Sequence, residues 1–553
     1  MNRTLLLLAA TAMATATPAA GQGNDLLIVN AKVYTVDRAR PAAEAVAVVG
    51  GRITAVGSER EARAAAAKGC RVIDAKGRLL LPGFIDDHAH FMDGGFQLQN
   101  VDLRPARSPE EFAAIMRAYV AKHPGRWVTG WTWDHDSWPG APLPTKELID
   151  AFTAETPVFV SRYDGHMALA NSHVLRLAGV TRDTPDPPGG TIVRDPKTGE
   201  PTGVLKDEAM SLVYPLIPPA TDAEAAEAAR RALAEARRNG VTTVQDLSSD
   251  RDVELYRALH RKGELTARIY SILPVAATDR YIREGLKGGT GDAWVRTGGL
   301  KAFADGSLGS STALFFEPYL ADPGTRGLAM DILTDGRLER WAVAADRAGL
   351  QLAIHAIGDS AISRVLDIYE KVAAANPARD RRFRIEHAQH VHPRDFARFA
   401  RLGVIAVAQP FHAIDDGRWA EGRIGRERCR TTYPFRSFLD NGVRLCFGSD
   451  WTVAPLNPVL GIYAAVTRRT TDGAHPGGWY PEQKITVEEA IEASTLTSAY
   501  ACFEEKERGS ITPGKLADLV LLSDDILTVD PARIEHTRVL LTVVDGRVVY
   551  EGK

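Results

Sequence analysis

The middle of the chain alternates short apolar strands with amphipathic helices, and this unit occurs eight times. Strands and helices that alternate in this order form a parallel sheet with crossover helices. Eight such units in a chain of this length predict an α/β fold, a (β/α)8 TIM barrel. The predicted strands are residues 79–85, 241–245, 267–273, 299–304, 350–354, 383–386, 404–408 and 444–448.

One of the predicted crossover helices carries clear signals at both ends. Thr221 and Glu224 form a capping box, residues 225–238 are strong helix formers, and Gly240 stops the helix.

Strand patterns also occur at both ends of the chain, at residues 25–34, 45–49 and 52–56 and at residues 517–522, 539–544 and 547–550. They predict one small β-sandwich domain built from residues 24–80 and 507–553, with the barrel in residues 81–506. Within the barrel, residues 96–219 exceed what one βα unit needs and contain their own strand candidates. This segment predicts an inserted α+β subdomain over the barrel mouth.

The N-terminus has the order of a secretory signal peptide. Arg3 precedes an apolar run over residues 4–13, and small residues follow around positions 16–20. We therefore expect a signal peptide in residues 1–20, cleaved near 16–20, and a periplasmic or secreted protein. An ordinary disordered N-terminus is the alternative.

The charge balance argues for a small-molecule substrate. Net charge is −3 and the pI is about 6.6, so no strong field favours nucleic acid or an anionic membrane. No later segment approaches the roughly 20 apolar residues of a membrane span, and a homodimer stays open. The four cysteines, which follow neither a disulfide nor a zinc-knuckle spacing and are expected to be buried apolar side chains, are Cys70, Cys429, Cys446 and Cys502.

Polar residues at the ends of the predicted strands carry the functional signal. His88 and His90 follow the first strand and, being two apart in extended chain, can bind one cation together. Strands four, five, six and eight contribute Lys301, His355, His387 and Asp450. Each residue alone would be read as a hydrogen-bonded structural group or a helix cap. The whole set at the carboxyl ends of barrel strands, where TIM-barrel catalytic groups collect, indicates a metal site.

The chain resembles the amidohydrolase superfamily, in particular its family 3 branch of hydrolases related to N-substituted formamide deformylases. In the barrel the resemblance rests on residues 81–90 (LPGFIDDHAH), 300–307 (LKAFADGS), 354–359 (IHAIGD), 384–389 (RIEHAQ) and 447–451 (FGSDW). Residues 162–166 (RYDGH), 189–190 (GG) and 509–520 (GSITPGKLADLV) look like landmarks of the insertion and of the return to the β domain. The likeness runs from about residue 25 to the C-terminus.

This resemblance implies a binuclear metal site. His88 and His90 would bind the more buried metal, with Asp450 in contact with it, and His355 and His387 would bind the second. Lys301 would be carboxylated and bridge the two metals, which agrees with the fact that a lysine ammonium cannot be a metal ligand. Zinc is the expected ion, with manganese or iron as alternatives. A neutral or salt-bridged Lys301 in a mononuclear site is the other reading.

The expected activity is hydrolysis of a non-peptide carbon–nitrogen bond, in an amide or an N-formyl or N-acyl compound, by a metal-bound hydroxide, with Asp450 as general base and then general acid. An ester, lactone or phosphoester hydrolase is the nearest alternative, and a non-catalytic binding or regulatory protein on the same scaffold is another. The expected substrate contacts are Arg162, Asp164, His166, Gln409, His412 and Trp451. Asp305 is expected to shape a βα loop, Glu386 to support a metal ligand, and His390 and His392 to be solvent-exposed.

Overall fold

The structure, a computed structural model, describes residues 24–552. The signal peptide expected in residues 1–20 lies outside the described residues. Within residues 24–552, no helix combines the length and apolar character needed to cross a bilayer.

Eight strands form the barrel, and each pairs in parallel with the next along the chain. A parallel bridge between Ala89 and Trp451 joins the first strand to the segment that follows the eighth. The prediction of an α/β TIM barrel is therefore confirmed. The barrel strands are Phe84–Ala89, Val241–Leu247, Arg268–Pro274, Val295–Phe303, Gln351–Ala356, Arg384–His387, Ile405–Ala408 and Leu445–Phe447.

Helices surround the barrel, and their apolar faces pack against its strands in one large core. The helix over Asp222–Arg238 begins with the predicted capping box of Thr221 and Glu224, and Gly240 follows it with a positive φ of 73°. The helices of the barrel and its loops are Phe91–Gln97, Asp222–Arg238, Asp250–Arg261, Thr278–Arg283, Asp331–Thr334, Arg337–Arg347, Asp359–Ala375, Phe396–Leu402, Pro410–Asp416, Ala420–Ile424, Arg426–Cys429, Phe435–Asp440, Pro458–Thr467, Val487–Ala493 and Leu496–Ala501.

The first predicted strand, residues 79–85, is divided between two sheets, which corrects the sequence reading. Leu79–Pro82 pairs with strands of the terminal segments, and Phe84–Ala89 is the first barrel strand. Gly83 lies between them against the side chain of Thr242, where a Cβ would overlap that side chain. Pro82 and Gly83 thus carry the chain from the terminal sheet into the barrel.

Two sheets from the chain ends face each other across a shared apolar layer, and a short helix, Glu59–Ala65, packs beside them. The four-stranded sheet has the order Arg52–Gly57, Ala45–Val49, Leu26–Val29, Arg71–Asp74. The six-stranded sheet has the order Arg547–Glu551, Val539–Val544, Leu519–Leu522, Leu79–Pro82, Lys32–Tyr34, Ala42–Ala43.

The insertion has a five-stranded sheet of its own, in the order Gly190–Arg194, Pro201–Asp207, Met167–Ala170, Phe159–Arg162, Trp131–Trp133. Three helices, Pro109–Lys122, Glu147–Asp150 and Ser172–Leu177, accompany it. Polar contacts hold this sheet over the barrel mouth. The Ser307 hydroxyl donates to Asp164 at 2.6 Å, and Arg423 pairs with Asp136 at 3.0 Å.

Candidate metal centre

The first group of metal-binding side chains lies where the first and eighth strands end. The Nε2 atoms of His88 and His90 lie 3.4 and 3.5 Å from Oδ1 of Asp450. The Asp450 backbone N–H donates to the His88 carbonyl at 2.7 Å, which fixes the loop after the eighth strand against the first strand. The structure therefore brings these three predicted residues together.

A second group shares Asp450. Donor atoms of His387, His412 and Asp450 all lie within 4.8 Å of one another. Nδ1 of His387 and Nε2 of His412 are buried and have no hydrogen-bond partner among the described residues. Buried imidazole nitrogens normally have a hydrogen-bond partner. Because these two have none, each is free to coordinate a cation. The sequence reasoning placed His412 among the substrate contacts and did not foresee this grouping.

Lys301 lies beside the first group, and His355 lies beside the second. Nζ of Lys301 is 3.3 Å from Nε2 of His88, and burial lowers the pKa of this lysine to about 8. The ring centroids of His355 and His387 are 4.4 Å apart. Nε2 of His355, however, lies 3.1 Å from the carbonyl oxygen of Gly306, so that nitrogen is engaged by the fourth βα loop.

A buried ion pair orients His88. Nδ1 of His88 lies 2.5 Å from Oε2 of Glu386, while Nε of Arg384 donates to Oε1 of the same carboxylate at 2.8 Å. Burial alone would raise the pKa of Glu386, but the charge of Arg384 and the hydrogen bond from His88 hold it at about 2. An ionised Glu386 accepts a hydrogen bond from the protonated Nδ1 of His88, which leaves the lone pair of Nε2 free for a metal.

Asp305 holds the loop above the fourth strand. Its carboxylate accepts the backbone N–H groups of Leu314, Ile357 and Gly358 at 2.8, 3.0 and 2.8 Å. Burial raises the pKa of Asp305 to about 7. Its contacts are those of the loop-shaping residue that the sequence suggested.

The expectation that His390 is solvent-exposed is wrong, and His392 is half-buried. Nδ1 of His390 lies 2.8 Å from the hydroxyl of Thr432, and burial lowers the pKa of His390 to about 3. The chain after the sixth strand runs beneath the loop that contains Thr432, which covers the ring.

A cavity of about 140 Å³ opens above these groups. Its floor contains five of the predicted metal ligands, and its wall contains the three predicted contacts from the insertion. Arg162 is fully buried and pairs with Asp134, Asp136 and Asp164. Nδ1 of His166 lies 2.7 Å from Asp207, and although burial opposes protonation, this carboxylate raises the pKa of His166.

Two of the predicted substrate contacts do not line this cavity. Trp451 packs against Phe91, with ring centroids 5.9 Å apart, and against the backbone of Gly94. The amide of Gln409 turns back to the carbonyl of Val407 at 3.4 Å. Both side chains are buried, and their assignment as substrate contacts stays a prediction.

Sequence reasoning also missed several cavity residues, among them Tyr163, Ser307, Gln389, Asp415 and Asp416. A usable signal existed for the last of these. His412 and Asp416 are four residues apart in the helix Pro410–Asp416, so both face the same side of it.

The donor set suits a divalent transition metal. Imidazole nitrogens and carboxylate oxygens are the usual ligands of zinc and related ions. The two groups supply such atoms within 4.8 Å, mostly buried, and two of the nitrogens lack a partner in residues 24–552. The residues therefore fit a metal centre.

Comparisons with known proteins agree with this geometry. The model of a family described as "Amidohydrolase family" matches residues 71–550. Protein LONG AFTER FAR-RED 3 of Arabidopsis thaliana is 41% identical, over 97% of this chain and 93% of its own. N-substituted formamide deformylase of Arthrobacter pascens is 31% identical, over 96% of this chain and 99% of its own.

A solved structure is also similar, that of an uncharacterized metal-dependent hydrolase from Pyrococcus horikoshii OT3. It is 28% identical with a TM-score of 0.74, and the match covers 92% of this chain and 99% of that chain. The resemblance inferred from the motifs is confirmed, and the chain belongs to the amidohydrolase family.

Proposed function

We propose that this protein hydrolyses a non-peptide carbon–nitrogen bond in a small molecule, an N-formyl or N-acyl amide. The observation that carries the proposal is the convergence of buried histidines on Asp450 at the floor of one cavity. The similarity to N-substituted formamide deformylase, which covers nearly the whole length of both chains, supports the choice of bond.

Two divalent cations, in our proposal zinc, would be held at this floor. His88, His90 and Asp450 would hold one, and His387 with the neighbouring His355 would hold the other. When bound, such cations lower the pKa of a coordinated water toward neutrality and polarise a carbonyl group.

Lys301 would join the two positions as a carbamate. Its lowered pKa of about 8 leaves a substantial fraction of neutral amine near neutral pH. The ammonium first gives up one proton; the neutral amine nitrogen then adds to carbon dioxide, forms one N–C bond and releases a second proton, so a positive side chain becomes a negative one with two oxygens. The positive charge that would repel cations at this position is thereby removed.

Asp450 would move the proton. Its carboxylate lies at the centre of both donor groups, where it can accept a proton from the attacking water and return it to the leaving nitrogen. An amine leaves readily only when protonated, so a single carboxylate can serve both steps. Arg162, Asp164, His166 and His412 would contact the substrate from the cavity wall.

The proposal is tested by comparing N-formyl and N-acyl amines with matched esters, before and after removal of metal by a chelator. We expect amide hydrolysis that a chelator abolishes and zinc restores, together with about two metal ions per chain by mass spectrometry. Turnover of esters alone would refute the assignment of the bond.

Replacement of Asp450 by asparagine tests the catalytic role. Loss of a positioned general base is expected to lower kcat by about 10²- to 10⁴-fold. Circular dichroism and metal content control for the fold and the site. Unchanged activity would contradict the role given to Asp450.

A binding or regulatory protein on the same scaffold is the second candidate, because the 41% identical relative bears a name that describes no reaction. The same substrate screen decides between the two. Metal binding without turnover of any amide or ester would favour the regulatory candidate.

We also propose that the enzyme is exported, because residues 1–20 have the composition of a signal peptide. N-terminal sequencing of the protein from its native host should begin after residues 16–20. An intact N-terminus would overturn this proposal.

A further inference from the structure

One carboxylate of the cavity wall stands outside the ion pairs that neutralise its neighbours. Arg162, Arg418 and Arg423 pair with Asp134, Asp136, Asp164 and Asp415 at distances of 2.6 to 3.3 Å. This network already contains one more carboxylate than guanidinium groups. Asp416 lies beside it in the cavity wall and forms no salt bridge within the described part of the chain.

Asp416 is held firmly but only on one side. Oδ2 accepts the hydroxyl of Tyr433 at 2.6 Å and the amide of Gln389 at 3.1 Å. The other oxygen, Oδ1, has no hydrogen-bond partner among residues 24–552, although the residue is only 8% exposed and lines the cavity. Burial raises the pKa of this carboxyl to about 7, although the hydrogen bond from Tyr433 and the charges of Arg162 and Arg418 act in the opposite direction. A buried carboxylate with one free oxygen is normally matched by a cation or a strong donor.

The helix Pro410–Asp416 sets the distance between this carboxylate and the reacting centre. His412 belongs to the donor group around Asp450, and Asp416 follows it by four residues on the same face. Four residues of α-helix rise about 6 Å. The Cα atoms of the two residues are therefore about 6 Å apart along the helix axis, so one small molecule can reach both side chains.

We propose that Asp416 is a specificity-determining residue that binds a cationic group, an ammonium or a guanidinium, carried by the amide substrate a few bonds away from the scissile carbonyl. This rests on the proposed function of the site and names its substrate class. The arginines of the cavity wall are not available to bind an anionic group of the substrate, since each guanidinium of the network is already paired with a carboxylate.

A matched pair of compounds tests this proposal on the unmodified enzyme. N-formyl-diaminopropane, formylated on one nitrogen, ends in an ammonium group, and in N-formylbutylamine a methyl group replaces that ammonium. At pH about 8 Asp416 is largely ionised and the ammonium remains charged. A charge-assisted hydrogen bond predicts a kcat/KM for the cationic compound about 10- to 100-fold higher.

Two variants locate the effect. Asp416→Asn is expected to remove the preference by lowering kcat/KM for the cationic compound about 10- to 100-fold. Asp472→Asn removes the same charge from an exposed loop position and should leave the preference intact. Equal kcat/KM values for both compounds on the unmodified enzyme would overturn the inference and leave the proposed function standing.

Calorimetric titration with both compounds separates the remaining outcomes if neither is hydrolysed. Binding of the cationic compound alone, lost in Asp416→Asn, would support the inference while counting against the proposed function. Equal binding of both compounds, or binding of neither, would overturn the inference.

Discussion

Replacing Glu386 by glutamine is expected to destabilise the fold and weaken metal binding at the same time. Glu386 is fully buried between Arg384 and His88, at 2.8 and 2.5 Å. Glutamine keeps the shape but removes the charge, so the fully buried guanidinium of Arg384 loses its counter-ion. The carbonyl of Asp87 would remain as an acceptor at 2.7 Å, but it carries no charge.

The structure gives the size of this effect. The charge of Arg384 holds the pKa of Glu386 at about 2, against an ordinary value of 4.5. That difference corresponds to about 3 kcal/mol of unfolding free energy at neutral pH. Removing one partner of a buried ion pair typically lowers the free energy of unfolding by about 3–5 kcal/mol, which is the same magnitude.

The pH dependence follows from the direction of this shift. The folded protein holds Glu386 ionised at a lower pH than the unfolded chain does. Its contribution is therefore complete above about pH 4.5 and is lost as the pH falls through about 2. In the Glu386→Gln variant, the free energy of unfolding should no longer show the decrease that this carboxyl causes between about pH 4.5 and 2.

Metal binding should weaken by about 10- to 100-fold, because a glutamine amide no longer fixes the tautomer of His88. If the amide NH2 faces His88, Nδ1 must accept and Nε2 carries the proton, which blocks coordination. Metal content is measured by mass spectrometry after dialysis against graded chelator, and stability by urea denaturation.

Glu370→Gln is the matched control. Glu370 also pairs with two arginines, Arg398 and Arg401, but its side chain is 38% exposed. A surface pair of this kind contributes at most about 1 kcal/mol to the free energy of unfolding. A Glu386→Gln variant that changes stability by no more than this control and keeps its full metal content would contradict the prediction.

Two further predictions concern packing and the insertion. Gly94→Ala should lower stability by about 1–3 kcal/mol, because the added Cβ overlaps the indole of Trp451, whereas Gly461→Ala in another helix meets no atom within 4 Å and should not destabilise. Thermal unfolding of both variants checks this, and equal midpoints would contradict it. Ser307→Ala removes the 2.6 Å hydrogen bond to Asp164 and should raise KM up to about 10-fold with little change in kcat, as steady-state kinetics would show. An unchanged KM would mean that the insertion is held by its other contacts.

The barrel and the strand-end residues could be predicted from sequence because both follow from local rules. Hydrophobic runs followed by helix signals identify strands, and the carboxyl ends of parallel barrel strands meet at one face. These rules place His88, His90 and Asp450 at the same face of the barrel. The position of Leu79–Pro82 could not be predicted in this way, because an apolar strand pattern does not say which sheet the strand joins.

Side chains on the helix after the seventh strand were harder to place. The sequence marks Gln409 and His412 equally as polar groups beyond a strand end, but only the rotation of the helix on the barrel decides which faces the cavity. That rotation depends on packing between distant segments. Trp451 is the same case, since the space that takes its indole exists only because residue 94 is glycine.

The site also depends on backbone conformations that no strand pattern encodes. In the sixth strand, alternation puts Arg384 and Glu386 on one face and would send His387 to the opposite face with Ile385. His387 instead has a φ of 70° and Ala388 a φ of 45°, which turns the chain at this point. Asp450 has a φ of 54°.

Positive φ at a residue other than glycine carries strain of about 1–3 kcal/mol, so each turn must be stabilised from outside the strand. Asp450 is held by the 2.7 Å hydrogen bond from its N–H to the carbonyl of His88, a residue of the first strand. Beyond His387, the carbonyl of Gln389 accepts the N–H of Tyr433 at 2.7 Å. Two side chains of the candidate metal centre thus owe their positions to contacts with distant segments of the barrel and its loops. Hence their roles could be read from the sequence while their geometry could not.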